Sequence, residues 1–235
     1  MKASKQLKVV IIMGPPGAGK GTQTMLVAES FRLSRLEMSK LLEERFQNAK
    51  PGETVSAHGT SYSLAEQQKR WKEGLLVEAP LVSQIFEEKL KELLEQKKSI
   101  VFDGFPRSIE QMEYIMPLLE ETIEKRNILL FYLDISEEES LKRNSQRRVC
   151  ELMRHPVLSD PQTEHLTICP LDGSKLLRRA LDDPEVIKIR LQEFRNQTMP
   201  LLEYFKERGI AVRHIKAERS VSAIFDDISQ QIQGA

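Results

Sequence analysis

The sequence predicts an α/β protein, a parallel sheet core flanked by helices. Three observations carry that expectation. Short apolar runs rich in β-branched residues recur along the chain, the pattern of strands buried on both faces. Stretches with helical spacing separate them, which favours parallel pairing. The first run ends in a glycine turn that opens a helix.

Taken in order, residues 7–13 are the first strand, and a helix follows from Lys20 to Leu33. Leu81, Val82, Ile85, Phe86, Leu90, Leu93 and Leu94 repeat at helical spacing and predict an amphipathic helix over 81–97. A second strand, 100–102, ends at Asp103. A helix around 108–121 leads to a third strand at 128–133, and 136–148 is charged and helical. Ile187, Leu191 and Phe194 begin a helix that runs to about residue 208; 210–215 is the last strand and 220–232 the last helix. Two stretches break the alternation. Residues 47–65, polar with Gly and Pro, read as a loop or an insertion, and 149–182, which hold both cysteines, as a small irregular flap.

The 235 residues carry 35 Lys+Arg and 35 Asp+Glu, so no global charge draws the chain to nucleic acid or to an anionic membrane. No apolar run reaches bilayer length, and the apolar stretch near the start is too brief for a signal-peptide core. A cytoplasmic location is expected, and there the two cysteines, Cys150 and Cys169, are not expected to form a disulfide.

The glycine turn is Gly14-Pro15-Pro16-Gly17-Ala18-Gly19-Lys20-Gly21-Thr22. Glycines let successive N–H groups of Gly17, Ala18, Gly19, Lys20, Gly21 and Thr22 face an anion. The helix N-terminus adds its dipole, Lys20 a mobile charge for β/γ-phosphates, and Thr22 a hydroxyl for Mg²⁺. A glycine turn without a ligand would not need the lysine. The second strand ends in Asp103-Gly104-Phe105-Pro106-Arg107. A carboxylate there can order magnesium and its waters, and Arg107 can grip a phosphate bidentately. Arg143 and Arg147 lie one turn apart on one helix face, with Arg148 adjacent; Arg179 and Arg190 lie beyond the flap. The alternative for these arginines is a solvated basic face.

Gly14 to Gln23 resembles, throughout, the phosphate loop of the adenylate kinase family, in which a glycine stands between the lysine and the threonine. Asp103 to Arg107, with Gln111 four residues on, is similar to the family's monophosphate-site signature. The resemblance implies a P-loop NTPase-type core (1–35, 81–145 and 183–235), an arm for the monophosphate (36–80) and a LID flap (146–182). It implies Mg²⁺-dependent phosphoryl transfer between ATP and a nucleoside monophosphate, AMP above others, by a monomer. Lys20, Arg107, Arg147, Arg179 and Arg190 would surround the transferring group. Arg143 and Arg219 would lie near the ATP base; Leu75, Leu76, Val77, Gly104 and Gln111 would bind AMP, with Gln111 reading adenine; Thr22 and Asp103 would hold magnesium.

Many bacterial relatives carry four zinc ligands in the flap. Here Cys169-Pro170-Leu171-Asp172 matches the second pair, while Met153 stands where the partner of Cys150 would fall. His155 can replace it, giving Cys150, His155, Cys169 and Asp172 as a zinc set. The other reading is two cysteines serving as small buried hydrophobes. A second departure lies in the arm. Where the family has a threonine, a Gly-Asp pair and an arginine for the AMP phosphate, this chain has Met38, Ser39-Lys40 and Glu43. Two alternatives therefore stand beside adenylate kinase activity: a kinase for another monophosphate, and an ATP-binding module with a decayed acceptor site.

Overall fold

The structure, a computed structural model, describes residues 7–153, 155–157, 162–178 and 180–235. β1 (Val9–Met13) is buried along its whole length. Its side chains alternate between two apolar clusters: Val9, Ile11 and Met13 enter one, Val10 and Ile12 the other. A strand covered on both faces needs a continuous apolar run, which is why this segment lacks polar residues.

The elements follow in chain order. After α1 (Lys20–Phe31) come β2 (Ser34–Glu37), α2 (Met38–Gln47), a hairpin of β3 (Thr54–Ala57) and β4 (Thr60–Ser63), α3 (Leu64–Lys72) and α4 (Ala79–Glu95). Then come β5 (Ile100–Asp103), α5 (Ile109–Thr122), β6 (Ile128–Asp134) and α6 (Glu137–Gln146). A small antiparallel sheet of β7 (Arg148–Cys150), β8 (Pro156–Val157) and β9 (Leu176–Leu177) precedes α7 (Pro184–Glu193), α8 (Leu201–Glu207), β10 (Val212–Lys216) and α9 (Val221–Gln233).

The main sheet has the order β10-β6-β1-β5-β2, and every pairing is parallel. Val9 stands opposite Ile100 on one side and Ile128 on the other. The ends of β1, β5 and β6 therefore open onto one edge of the sheet, where a doubly wound sheet forms its crevice. Serines start the helices at that edge: Ser108 Oγ accepts from the N–H of Gln111 (3.2 Å) and Ser136 Oγ from that of Glu139 (3.2 Å). Among the described residues, no helix is long and apolar enough to cross a membrane.

The structure departs from the sequence expectation in several places: the flap holds a small sheet, α2 and α3 are helices no pattern announced, and three further differences have a local cause. β2 is a strand although its sequence, Ser-Arg-Leu-Glu, has one apolar residue; Leu36 alone is buried, as an edge strand permits. Residues 47–65 are no simple loop, since they hold the hairpin of β3 and β4. Its two-residue turn, His58-Gly59, takes positive φ at both positions (46° and 83°), as tight hairpins require. The helix expected from 187 to about 208 is two helices separated by a π turn at Phe194–Thr198.

An aromatic cluster supports the crevice. Phe86 on α4, with no exposed surface, stacks on Phe105 (3.8 Å between ring centroids) and meets Phe102 edge-on at 4.8 Å. Phe102 precedes Asp103, and Phe105 lies two residues before Arg107, so this packing positions both polar groups. Phe86→Ala should lower unfolding free energy by about 3–5 kcal/mol in denaturant titrations, through lost burial and the cavity left behind.

Candidate active site

The chain leaves β1 at Gly14, whose φ is 151°. A Cβ there would stand 2.6 Å from the Leu133 carbonyl oxygen on β6, so only glycine lets the loop pass. At Gly17 (φ 80°) a Cβ would lie 2.7 Å from the Asn144 side-chain nitrogen on α6. Ser140, also on α6, donates to the Pro16 carbonyl at 2.6 Å and fixes the loop from outside. Lys20 folds back across it, with Nζ donating to the carbonyls of Gly14 (2.7 Å) and Pro15 (2.8 Å). Burial of its ammonium, then the positive charges of Arg107 and Arg190, lower its pKa to about 7, against a smaller opposing pull from Asp103.

β5 delivers Asp103 beside this loop. Asp103 Oδ2 accepts from Thr24 Oγ1 (2.9 Å) and from Arg35 Nε (2.9 Å) and Nη2 (2.5 Å). Arg107 Nε donates to the Gly104 carbonyl at 2.9 Å, and burial holds its pKa below the ordinary guanidinium range, with Asp103 opposing. The Arg107 N–H donates to Gln111 Oε1 at 2.7 Å, so the acceptor end of that amide is used within the protein and its NH₂ end is left for a ligand. Thr198, in the π turn, donates to the Arg107 carbonyl at 2.7 Å.

From the far side, Arg147 grips Asp182 with Nε (3.0 Å) and Nη2. Arg190 Nη1 donates to the Leu181 carbonyl at 3.0 Å and lies 3.7 Å from Asp182 Oδ1. Arg143 pairs with Glu139 at 2.7 Å.

One cavity of about 700 Å³ gathers most of the residues singled out in the sequence: Gly17, Gly19, Lys20, Gly21, Thr22, Leu75, Leu76, Asp103, Gly104, Arg107, Arg143, Arg147, His155 and Arg190. Val77 and Gln111 line a smaller recess beside it, which shares Gly104 and Arg107. Ala18 is fully buried behind the loop. Arg219 is not brought to the cavity: it pairs with Asp227 and donates to the Lys216 carbonyl (2.9 Å). Arg179 lies outside the described residues.

Among the lining residues that sequence reasoning passes over, two stand out. Trp71, the chain's one tryptophan, lines both the cavity and the recess. Its signal is its place three residues before Gly74, near the end of a helix that is polar from Glu66 to Arg70. Arg35 lines the cavity through a contact 68 residues away in sequence, which no local pattern announces.

Cys150, His155, Cys169 and Asp172 come together in the flap, with one donor atom from each all within 4.8 Å of one another. His155 Nδ1 lies 3.5 Å from Cys150 Sγ, 3.6 Å from Cys169 Sγ and 3.2 Å from Asp172 Oδ2. Donor-to-donor edges of a tetrahedral zinc site are about 3.5 Å, from bond lengths of about 2.0–2.3 Å. The N–H groups of His155 (3.1 Å) and Leu171 (3.4 Å) also point at the two sulfurs. The four residues thus fit a closed structural zinc site in both donor type and spacing. A hydrogen bond from Cys150, then one from Ser174, holds the Asp172 carboxyl well below its ordinary range.

A glycine cradle at a helix N-terminus, a lysine within it and guanidinium groups facing it across a cavity define a phosphotransferase built on a phosphate loop. The chain belongs to the adenylate kinase family, whose sequence model matches residues 12–210. It is 30% identical over 224 residues to the adenylate kinase of Methanothrix thermoacetophila, an alignment covering 94% of this chain and 96% of the relative. The adenylate kinase of Caldicellulosiruptor bescii is 32% identical over 207 residues (86% and 89%), and that of Staphylococcus aureus 31% over 224 (93% and 96%). It is a nucleoside monophosphate kinase.

The lowered Lys20 pKa has a measurable consequence. Between about 7 and the ordinary lysine value of 10.5, the unfolded chain holds a proton that the folded, ligand-free chain lacks. This group's penalty on folding is therefore fully present below about 7 and fades as pH rises through that window. A bound phosphate restores the charge. At about pH 8, ATP binding should take up as much as about one proton per nucleotide, measured calorimetrically in buffers of different ionisation enthalpy. The uptake should disappear in Lys20→Met.

Proposed function

We propose that the chain transfers the γ-phosphoryl group of ATP to AMP, forming two ADP. One observation carries this reading: Lys20, Arg107, Arg147 and Arg190 line a single cavity that adjoins the recess holding Gln111. A transferring phosphoryl group spreads negative charge over its oxygens in a loose transition state, and fixed positive charge from several directions stabilises it. A monophosphate oxygen is already an anion, so no general base is required.

In this reading the phosphate-loop amides and Lys20 bind the β- and γ-phosphates, Arg107 holds the acceptor phosphate, and Arg147 and Arg190 face the transferring group. Asp182, shared by those two arginines, keeps them aligned when no nucleotide is bound. The Gln111 NH₂ can donate to a ring nitrogen of adenine, and Trp71, Leu76 and Val77 offer an apolar wall for the base. Thr22 and Asp103 Oδ1 would hold magnesium, which supplies Lewis-acid charge at the phosphate oxygens. The arm of 36–80 and the flap of 146–182 would close over both nucleotides and exclude water. Zinc at Cys150, His155, Cys169 and Asp172 would stiffen a flap too small to bury a core of its own. Two free thiols in such a cluster favour a reducing, cytoplasmic setting.

A second reading, another monophosphate as acceptor, is favoured by the acidic side of the cavity, where Glu37, Glu43 and Glu44 stand with Lys40. Turnover of ATP·Mg²⁺ with AMP, CMP, UMP and GMP, against a blank without acceptor, separates the two. The expected result is turnover with AMP above the others. Faster turnover with a pyrimidine or guanine monophosphate would transfer the assignment to that acceptor.

Protein prepared without chelators should hold about one zinc per chain by elemental analysis. Cys169→Ser should lose that zinc and lower the melting temperature. Absence of zinc from the wild type would leave the two cysteines as buried hydrophobes.

A further inference from the structure

Arg35 sits in the phosphate cavity, and none of the roles assigned above uses it. It lies on β2, paired with β5 so that Arg35 stands opposite Val101 and Glu37 opposite Asp103. Side chains alternate along strands, so Arg35, Glu37 and Asp103 project from the same face of the sheet, while Leu36 enters the core on the other.

The guanidinium is held from two sides. Nε and Nη2 donate to Asp103 Oδ2 at 2.9 and 2.5 Å, and Nη2 lies 3.1 Å from Glu37 Oε2. Thr24 Oγ1 is a third donor to the same Asp103 oxygen, at 2.9 Å. The group lies over the start of α1: a Cβ added to Gly21 would be 3.7 Å from both Arg35 Nη2 and Asp103 Oδ2. A permanent cation thus stands beside Gly21, the neighbour of Thr22, at the place where the phosphate site would take its divalent ion.

Three donors saturate Oδ2, since a carboxylate oxygen offers about two lone-pair sites. That leaves Oδ1 and Thr22. Magnesium keeps several of its waters and takes one or two protein carboxylates, so the ion still fits. The charge of Asp103 is nonetheless shared with the guanidinium of Arg35. With Nε and Nη2 turned to the carboxylates, the N–H groups of Nη1 remain to donate to phosphate oxygens in the cavity.

We propose that Arg35 is a resident cation of the nucleotide phosphate site: pinned by Asp103 and Glu37, it neutralises part of the ATP phosphate charge that magnesium would otherwise neutralise at that end of the cavity. The proposal rests on the phosphate loop being an ATP site. Its distinguishing consequence is that metal-free ATP binds with help from Arg35, whereas ATP·Mg²⁺ depends on it far less.

The test is calorimetric titration of the full chain with ATP, once with excess Mg²⁺ and once with EDTA, for the wild type, Arg35→Gln and Arg35→Lys. Arg35→Gln should bind metal-free ATP about tenfold more weakly and ATP·Mg²⁺ less than about threefold more weakly. Arg35→Lys, which keeps the charge, should hold metal-free affinity within about threefold of the wild type. Equal losses in the two conditions, or no loss in either, would overturn the proposal. If circular dichroism shows Arg35→Gln unfolded, Arg35→Lys decides alone: an equal loss in both conditions, or loss of metal-free binding beyond about tenfold, overturns it. A wild type that binds ATP in neither condition would instead sink the nucleotide-site assignment, and this proposal with it.

Discussion

The phosphate site depends on the passage of one residue, Gly14, over the carbonyl of Leu133. β1 pairs with β6 along its whole length, and the loop must turn immediately at the end of that pairing. A side chain at Gly14 would meet a backbone oxygen at 2.6 Å, which cannot move without breaking the sheet. Because this turn is fixed, α1 begins over the crevice rather than beside it, and its exposed N–H groups face the same space as Asp103 from β5. The arginines from α6, α7 and the turn after β5 then converge on a point the sheet has already set.

That convergence works against folding. Cationic side chains gathered around one cavity repel one another, and the lowered pKa of Lys20 and the depressed range of Arg107 register the cost of burying them together. The fold offsets some of this with two carboxylates, one on each side. Asp182 sits between Arg147 and Arg190, and Asp103 beside Arg35. The remainder is the electrostatic preorganisation that a phosphate substrate completes, so the ligand-free state holds less stability than the same fold would with a neutral cavity.

The sheet is legible in the sequence wherever a strand is buried on both faces, because β1, β5 and β6 then need unbroken apolar runs. β2 is not, since Ser-Arg-Leu-Glu carries a single apolar residue. The hairpin of 54–63 gives little signal because its turn is His58-Gly59 rather than Asn-Gly, so a left-handed position is filled by a residue that does not announce it. The break at Phe194–Thr198 is invisible to periodicity, which a single π turn shifts by only one residue. In the site, the phosphate loop and the Asp103–Arg107 turn are contiguous and can be read directly. The zinc-type cluster is half readable, because the fourth donor, His155, is displaced from the usual spacing. Arg35 and Trp71 owe their positions to strand pairing and helix packing, which sequence order does not reveal.

The hairpin adds a mechanical element to this fold. The His58 ring stacks on Tyr114 of α5, with 4.0 Å between centroids and 26° between planes, and Ala57 is buried in the large core cluster. The segment after α2 is therefore fastened to α5 as well as to its own neighbours. Any excursion that lifts the hairpin from α5 must first pull these rings apart, a contact worth about 0.5–1.5 kcal/mol. Such excursions are rarer by roughly twofold to tenfold than they would be in a chain without that clasp. The stack thus couples the segment between α2 and α3 to a helix more than forty residues further along the chain, a link that chain order alone does not supply.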